Sequence, residues 1–210
     1  MKEIDILCDG TKKLFEEFFT KEGNNKQKAN MWTFTRLVLP FLIVITSSKS
    51  FTSKSEKDKK IYLAYSAILA SFAAVTDYMD GKTARKYNAT SEYGKLLDQV
   101  ADKIFAFVLG LNLTNMDHKF LRVVIGEMLI SLVNLYYRRK DENIDIKSTS
   151  IGKIKEWPLF ITLASGYVAS CDNRFDKIKD MLINLTNVLQ VFTLQSYIKQ
   201  NKELIKSKKI

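Results

Sequence analysis

The sequence predicts an all-α, polytopic integral membrane protein, with six transmembrane helices behind an N-terminal amphipathic segment. Two observations carry that reading. Hydrophobic residues, 46% of the 210, are gathered into six runs separated by polar segments. Such clustering outweighs the overall mean hydropathy of -0.11, because a bilayer responds to local stretches and not to the average. The second observation is charge. With the N-terminus placed in the cytoplasm, the inner segments (1–31, 80–100, 138–156 and 199–210) hold six, four, six and five lysines plus arginines. The outer segments (47–60, 114–122 and 171–179) hold five, two and three. Positive residues favour the cytoplasmic side, so both termini are expected inside. The length fits one domain, read as an amphipathic segment over 1–28, a six-helix domain over 29–200 and a basic tail over 201–210. A soluble helical bundle with unusually apolar helices is the alternative, since the runs carry polar residues such as Asn112 and Asn134.

Taken in order, residues 1–28 place Ile4, Leu7, Leu14, Phe15, Phe18 and Phe19 near helical spacing, with Lys12, Lys13, Glu16 and Glu17 between them. Gly10 and the stretch from Glu22 to Lys28 interrupt the pattern. Such a helix suits either the membrane surface or the protein's own cytoplasmic face. The first apolar run, Trp32 to Thr46, is shorter than the roughly 20 residues that cross a bilayer squarely and must borrow polar residues at its ends. Residues 47–60, rich in Ser and Lys, read as a loop. The second run is Ile61 to Val75, the third Ala101 to Leu113, and the fourth Phe120 to Tyr137. A basic polar segment follows, from Arg138 to Glu156. The fifth run is Trp157 to Ser170 and the sixth Ile178 to Ile198. Cys8 and Cys171 lack metal-ligand spacing and read as free thiols in a reducing compartment. His118 reads as a loop residue. Residues 1–31 are too long and too charged for a signal peptide. No nucleic-acid motif is present, and the net charge of +10 suits anionic lipid headgroups.

The stretch from Asp77 to Asp102 carries the chemistry. Asp77 and Asp80 are three apart and Asp98 and Asp102 four apart, so each pair shares a helix face. Two helix ends with two carboxylates each could close around one or two hard cations, for which Mg²⁺ and Mn²⁺ are suited. Gly81 and Ala84 are small enough for a bulky group to approach the backbone. Arg85 is a planar fork suited to phosphate. Four surface acids capping two helices are the plainer reading of the aspartates alone.

The full pattern Asp-x2-Asp-Gly-x2-Ala-Arg-x8-Gly-x3-Asp-x3-Asp, filled by Asp77, Asp80, Gly81, Ala84, Arg85, Gly94, Asp98 and Asp102, resembles the signature of the CDP-alcohol phosphatidyltransferase family. The start of the first run, Asn30-x-x-Thr33-x-x-Arg36, is similar to a segment often seen in that family. The resemblance covers the chain from Asn30 to the sixth run and implies a six-helix membrane enzyme. Such an enzyme moves a phosphatidyl or related group from a CDP-linked donor, CDP-diacylglycerol, to a small alcohol and releases CMP, with the site on the cytoplasmic side. It implies Mg²⁺ or Mn²⁺ held by Asp77, Asp80 and Asp98, with Asp102 as general base and also near the metal. It places Asn30, Thr33, Gly81, Ala84, Arg85 and Ser91 beside the nucleotide and diphosphate; helix capping is an equal reading of Asn30. Family members are often dimers, which raises a homodimer as an expectation.

Within the family, Leu97-Asp98-Gln99-Val100-Ala101-Asp102-Lys103 resembles the phosphatidylglycerophosphate synthases, which usually have proline where Gln99 stands. Gly152-Lys153-Ile154-Lys155 resembles their Gly-Lys-x-Lys segment, making Lys153 and Lys155 candidate ligands for an acceptor phosphate such as that of glycerol 3-phosphate. The fourth run departs from them. It has Gly126-Glu127 and Asn134 where those synthases commonly have Ala-Arg-Glu and a further arginine, so Arg138 or Arg139 would have to substitute. Otherwise the acceptor is a different alcohol: inositol, inositol phosphate, serine or another. Two other classes are a carboxylate-lined divalent-cation transporter and a catalytically inactive membrane scaffold. The transporter calls for acids deep inside several helices. The complete motif argues against the scaffold.

Overall fold

The computed structural model describes the backbone of residues 6–13, 21–87, 92–140 and 149–207, and the side chains of 6–13, 33–73, 75–76, 96–137, 149 and 151–203. Helices account for nearly all of it, and no strand occurs among the described residues. Residues 6–13 form α1. Then come α2 (Lys21–Thr52), α3 (Glu56–Tyr87), α4 (Glu92–Thr114), α5 (Phe120–Lys140) and α6 (Ser150–Cys171), a 3-10 turn (Asn173–Phe175), and α7 (Asp176–Ser207). The predicted all-α class is what the chain adopts.

The helices outrun the apolar runs that predicted them. The stretch 22–28, expected to interrupt the chain, lies inside α2 despite Gly23. The expected loop over 47–60 shrinks to residues 53–55. Ser47 and Ser50 continue α2 by donating to the carbonyls of Val44 at 3.0 Å and Ser47 at 2.6 Å. The segment expected to stay polar and irregular up to Glu156 is helical from Ser150, because Thr149 caps α6 and accepts from the Gly152 amide at 3.0 Å. The tail is helical to Ser207. Lys, Glu and Gln, good helix formers in water, recur in 22–28, 56–60, 150–156 and 199–207, so backbone hydrogen bonding continues past the point where apolar burial stops.

The chain divides into two units, 1–109 and 110–210. In the first, α2 packs on α3 through the short turn. The buried face of α3 is small, built from Ser66, Ala67, Ala70 and Ala73, which permits close helix approach. Thr46 and Ser66 hydrogen-bond across the pair at 2.8 Å. In the second, α7 packs on both α5 and α6. Phe120, Val123, Leu159, Leu163, Tyr167 and Ile183 are buried. The Thr162 and Thr186 hydroxyls meet at 2.7 Å, and the Tyr167 hydroxyl donates to Asn112 Oδ1 at 2.8 Å. Gly166 is a point of close approach: a Cβ there would stand 2.6 Å from Phe120 Cζ and under 3.0 Å from both Leu113 methyls. At one end, Lys179 donates to Asp117 at 2.6 Å and Asp176 at 2.9 Å, while Lys119 donates to Asp180 at 2.6 Å. These bonds tie the loop before α5 to the start of α7.

Polar side chains are buried beside apolar ones, and large apolar side chains also face outward. Threonine, serine, Asn112 and Gln190 are buried, whereas Phe41, Ile45, Ile68, Phe72, Leu132, Ile161, Met181 and Phe192 face outward. Thr33–Thr52 and Phe120–Tyr137 are long and apolar enough to cross a membrane. In α3, α6 and α7 the buried Ser66, Thr76, Thr162, Thr186, Gln190 and Thr193 lower the hydropathy of helices that also expose large apolar side chains. Both prolines of the chain, Pro40 and Pro158, lie inside helices, as membrane helices tolerate.

Candidate active site

The signature residues fall on two helices. Asp77, Asp80, Gly81, Ala84 and Arg85 lie in the last third of α3, and Gly94, Asp98 and Asp102 in the first half of α4. The acids therefore sit inside longer helices and not at their ends. The side chains of Asn30, Asp77, Asp80, Ala84, Arg85, Arg138 and Arg139 lie outside the described residues, as do the surroundings of Gly81 and the whole of Ser91.

What is described converges on one residue that the spacing of the aspartates could not reveal. Arg36, one turn after the buried Thr33 on α2, has 0% of its side chain exposed. Its Nη2 pairs with Asp98 Oδ1, and its Nη1 lies 2.9 Å from Asp102 Oδ1. The Asp98 side chain is 42% exposed and that of Asp102 18%. The i, i+4 spacing does bring both carboxylates to one point, and that point holds a cation. An arginine inside an apolar run was the available signal, because a charge there needs a partner and a purpose. Among the described residues no three acidic, His or Cys side chains cluster. The carboxylate oxygens of Asp98 and Asp102 are hard donors of the kind Mg²⁺ and Mn²⁺ take, and Arg36 offsets part of their charge.

In the second unit the candidate acceptor lysines separate. Lys153 is exposed. Lys155 is only 1% exposed, donates to Glu127 Oε1 and lies 3.4 Å from Glu156 Oε1. Gln190 completes this buried group, donating to Glu127 Oε1 at 3.0 Å and to the Val123 carbonyl at 2.8 Å. Its amide presses on Gly126, where a Cβ would stand 2.2 Å from Gln190 Oε1. The missing arginine of the fourth run is thus matched by a glycine whose side-chain space Gln190 fills.

A family model for CDP-alcohol phosphatidyltransferase matches residues 26–194. The chain belongs to that family. Among curated relatives, a CDP-diacylglycerol–glycerol-3-phosphate 3-phosphatidyltransferase of Wigglesworthia glossinidia brevipalpis is 31% identical over 132 residues, covering 58% of this chain and 65% of that protein. Proteins with the same description from Salmonella choleraesuis (strain SC-B67) and Escherichia coli (strain K12) are 25% and 28% identical over 143 and 104 residues. Those matches cover 62% and 47% of this chain, and 70% and 57% of the relatives. The chain thus spans between about half and seven-tenths of the relatives it matches. As a CDP-alcohol phosphatidyltransferase it carries both halves of the signature within the matched region.

Proposed function

We propose that the chain is a membrane phospholipid-synthesis enzyme that transfers a phosphatidyl group from CDP-diacylglycerol to glycerol 3-phosphate. The observation that carries this is the convergence of Asp98 and Asp102 on one cationic centre, within a complete family signature. The relatives' names supply the two substrates. The acceptor hydroxyl oxygen attacks the phosphatidyl phosphorus, a new P–O bond forms, and CMP leaves with the electron pair of the broken diphosphate bond. Asp102 takes the hydroxyl proton. Asp77, Asp80 and Asp98 would hold a divalent cation, with Asp102 beside it. When bound, Mg²⁺ or Mn²⁺ supplies positive charge that offsets the diphosphate and the leaving CMP. Asn30, Thr33, Gly81, Ala84, Arg85 and Ser91 border the nucleotide and diphosphate. Lys153, Arg138 and Arg139 are the cations offered to the acceptor.

The apolar residues on the outer faces support a position in a bilayer, where lipid tails would cover them. Six crossings, with both termini and the site on the cytoplasmic side, agree with the distribution of lysine and arginine. A homodimer is part of the same reading.

One observation favours a second acceptor. Lys155 is committed to Glu127, and Gln190 fills the space at Gly126, which leaves fewer cations for a phosphate than a glycerol 3-phosphate enzyme is expected to offer. The same chemistry on inositol, inositol phosphate, serine or another alcohol follows from that. The test uses purified protein with CDP-diacylglycerol and each acceptor in turn, measuring CMP release with and without chelator. Release with glycerol 3-phosphate, abolished by chelator and restored by Mg²⁺ or Mn²⁺, is the expected result. Release with only another alcohol selects the second reading, and no release with any removes both.

A further inference from the structure

Arg36 lies among apolar residues of α2 and is wholly buried. Arginine does not lose its proton in proteins, so this charge is permanent. Burying it is costly unless it meets acids with good geometry. Here it meets two, through two different nitrogens of one planar fork: Nη2 with Asp98 and Nη1 with Asp102. The arrangement also serves the acids. Like charges four apart on a helix repel, and a single guanidinium between them offsets that repulsion.

We propose that Arg36 is a built-in counter-cation of the metal centre. It holds Asp98 and Asp102 in place and competes with the divalent cation for them, so that it sets how tightly the cation binds. The inference rests on the proposed role of Asp98 and Asp102 as metal ligands. Arg36 holds Oδ1 of both carboxylates, so a metal that coordinates either of those oxygens must share it with the guanidinium or displace it. The fixed positive charge also repels a second cation at short range. Arg36 is therefore a positioning residue whose removal weakens the protein without metal and strengthens metal binding. A residue that merely filled space would alter the first property alone.

The experiment uses the full chain in detergent and reads binding, not turnover. Free Mn²⁺ is followed by electron paramagnetic resonance, and thermal stability is measured in chelator and in saturating Mn²⁺. Arg36→Gln is expected to melt earlier than wild type in chelator and to recover most of that loss in Mn²⁺. It should bind Mn²⁺ at least about tenfold more tightly. Arg36→Lys, which keeps the charge but loses the fork, should fall between wild type and Arg36→Gln. Unchanged or weaker Mn²⁺ binding by a folded Arg36→Gln protein overturns the proposal. So does an Arg36→Gln protein that folds in neither condition, because Mn²⁺ should stand in for the missing cation. If wild type binds no Mn²⁺, the metal reading itself has failed. The counter-charge is then judged on chelated stability alone: Arg36→Gln should destabilise wild type and have little effect once Asp98→Asn and Asp102→Asn are present. An equal effect in both backgrounds would reject it.

Discussion

At the scale of single residues, Asp102 and Asp98 share Arg36 yet differ in exposure, which fits one as the less solvated base and the other as an open ligand. Asp102→Asn should reduce turnover by about 10²–10⁴-fold, with little recovery at high metal concentration. Asp77→Asn, lost through metal affinity, should recover in part. Titrating Mg²⁺ against each variant at fixed CDP-diacylglycerol separates them, and equal recovery would make Asp102 chiefly a ligand. Glu127 invites a stability test. Glu127→Gln leaves the buried Lys155 charge with only its longer contact to Glu156, a loss of up to about 3–5 kcal/mol, readable as an earlier thermal transition in detergent. The aspartates were legible because a fixed spacing maps onto one helix face. Arg36 was legible as the last fixed position of Asn30-x-x-Thr33-x-x-Arg36, but its pairing with Asp98, 62 residues along the chain, was not. Gln190 was illegible altogether, since it reaches Glu127 from 63 residues away and has no sequence pattern of its own.

At the scale of elements, the order and number of apolar runs foretold α2 to α7, while their ends did not follow, because helix propensity and caps act where hydropathy is silent. Gly166 illustrates what packing adds. Gly166→Ala presses a methyl against Phe120 and Leu113, and overpacking of this kind costs about 1–3 kcal/mol; an unchanged melting temperature would show that α6 shifts freely. The tie between the loop before α5 and α7 should respond to acid. Burial pushes the Asp117 carboxyl up, but hydrogen bonds and charge from Lys179 and Lys119 outweigh it and leave it below the ordinary value. A lowered carboxylate stabilises the fold above its unfolded pKa, and that contribution is lost as pH falls through the folded value. Melting temperature should therefore drop for wild type as pH falls below about 4. Asp117→Asn should start lower at neutral pH and show a shallower acid slope.

At the scale of the whole molecule, outward-facing Phe, Ile and Leu with inward Thr, Ser and Gln predict extraction by detergent and retention in the membrane pellet after high salt or alkaline carbonate. Recovery in the salt wash would return the chain to the soluble bundle. The three-residue turn between α2 and α3 has a consequence for the order in which the protein assembles. Contacts between neighbouring helices close early, because little chain must be ordered to make them. The α2–α3 hairpin therefore takes shape during synthesis before α4 exists, and it already carries Asp77, Asp80 and Arg36. The acids that receive Arg36 are made some sixty residues later. Until they arrive, the nascent hairpin holds a permanent charge within its most apolar helix, so the arrival of α4 is the step that commits the first unit to its final depth.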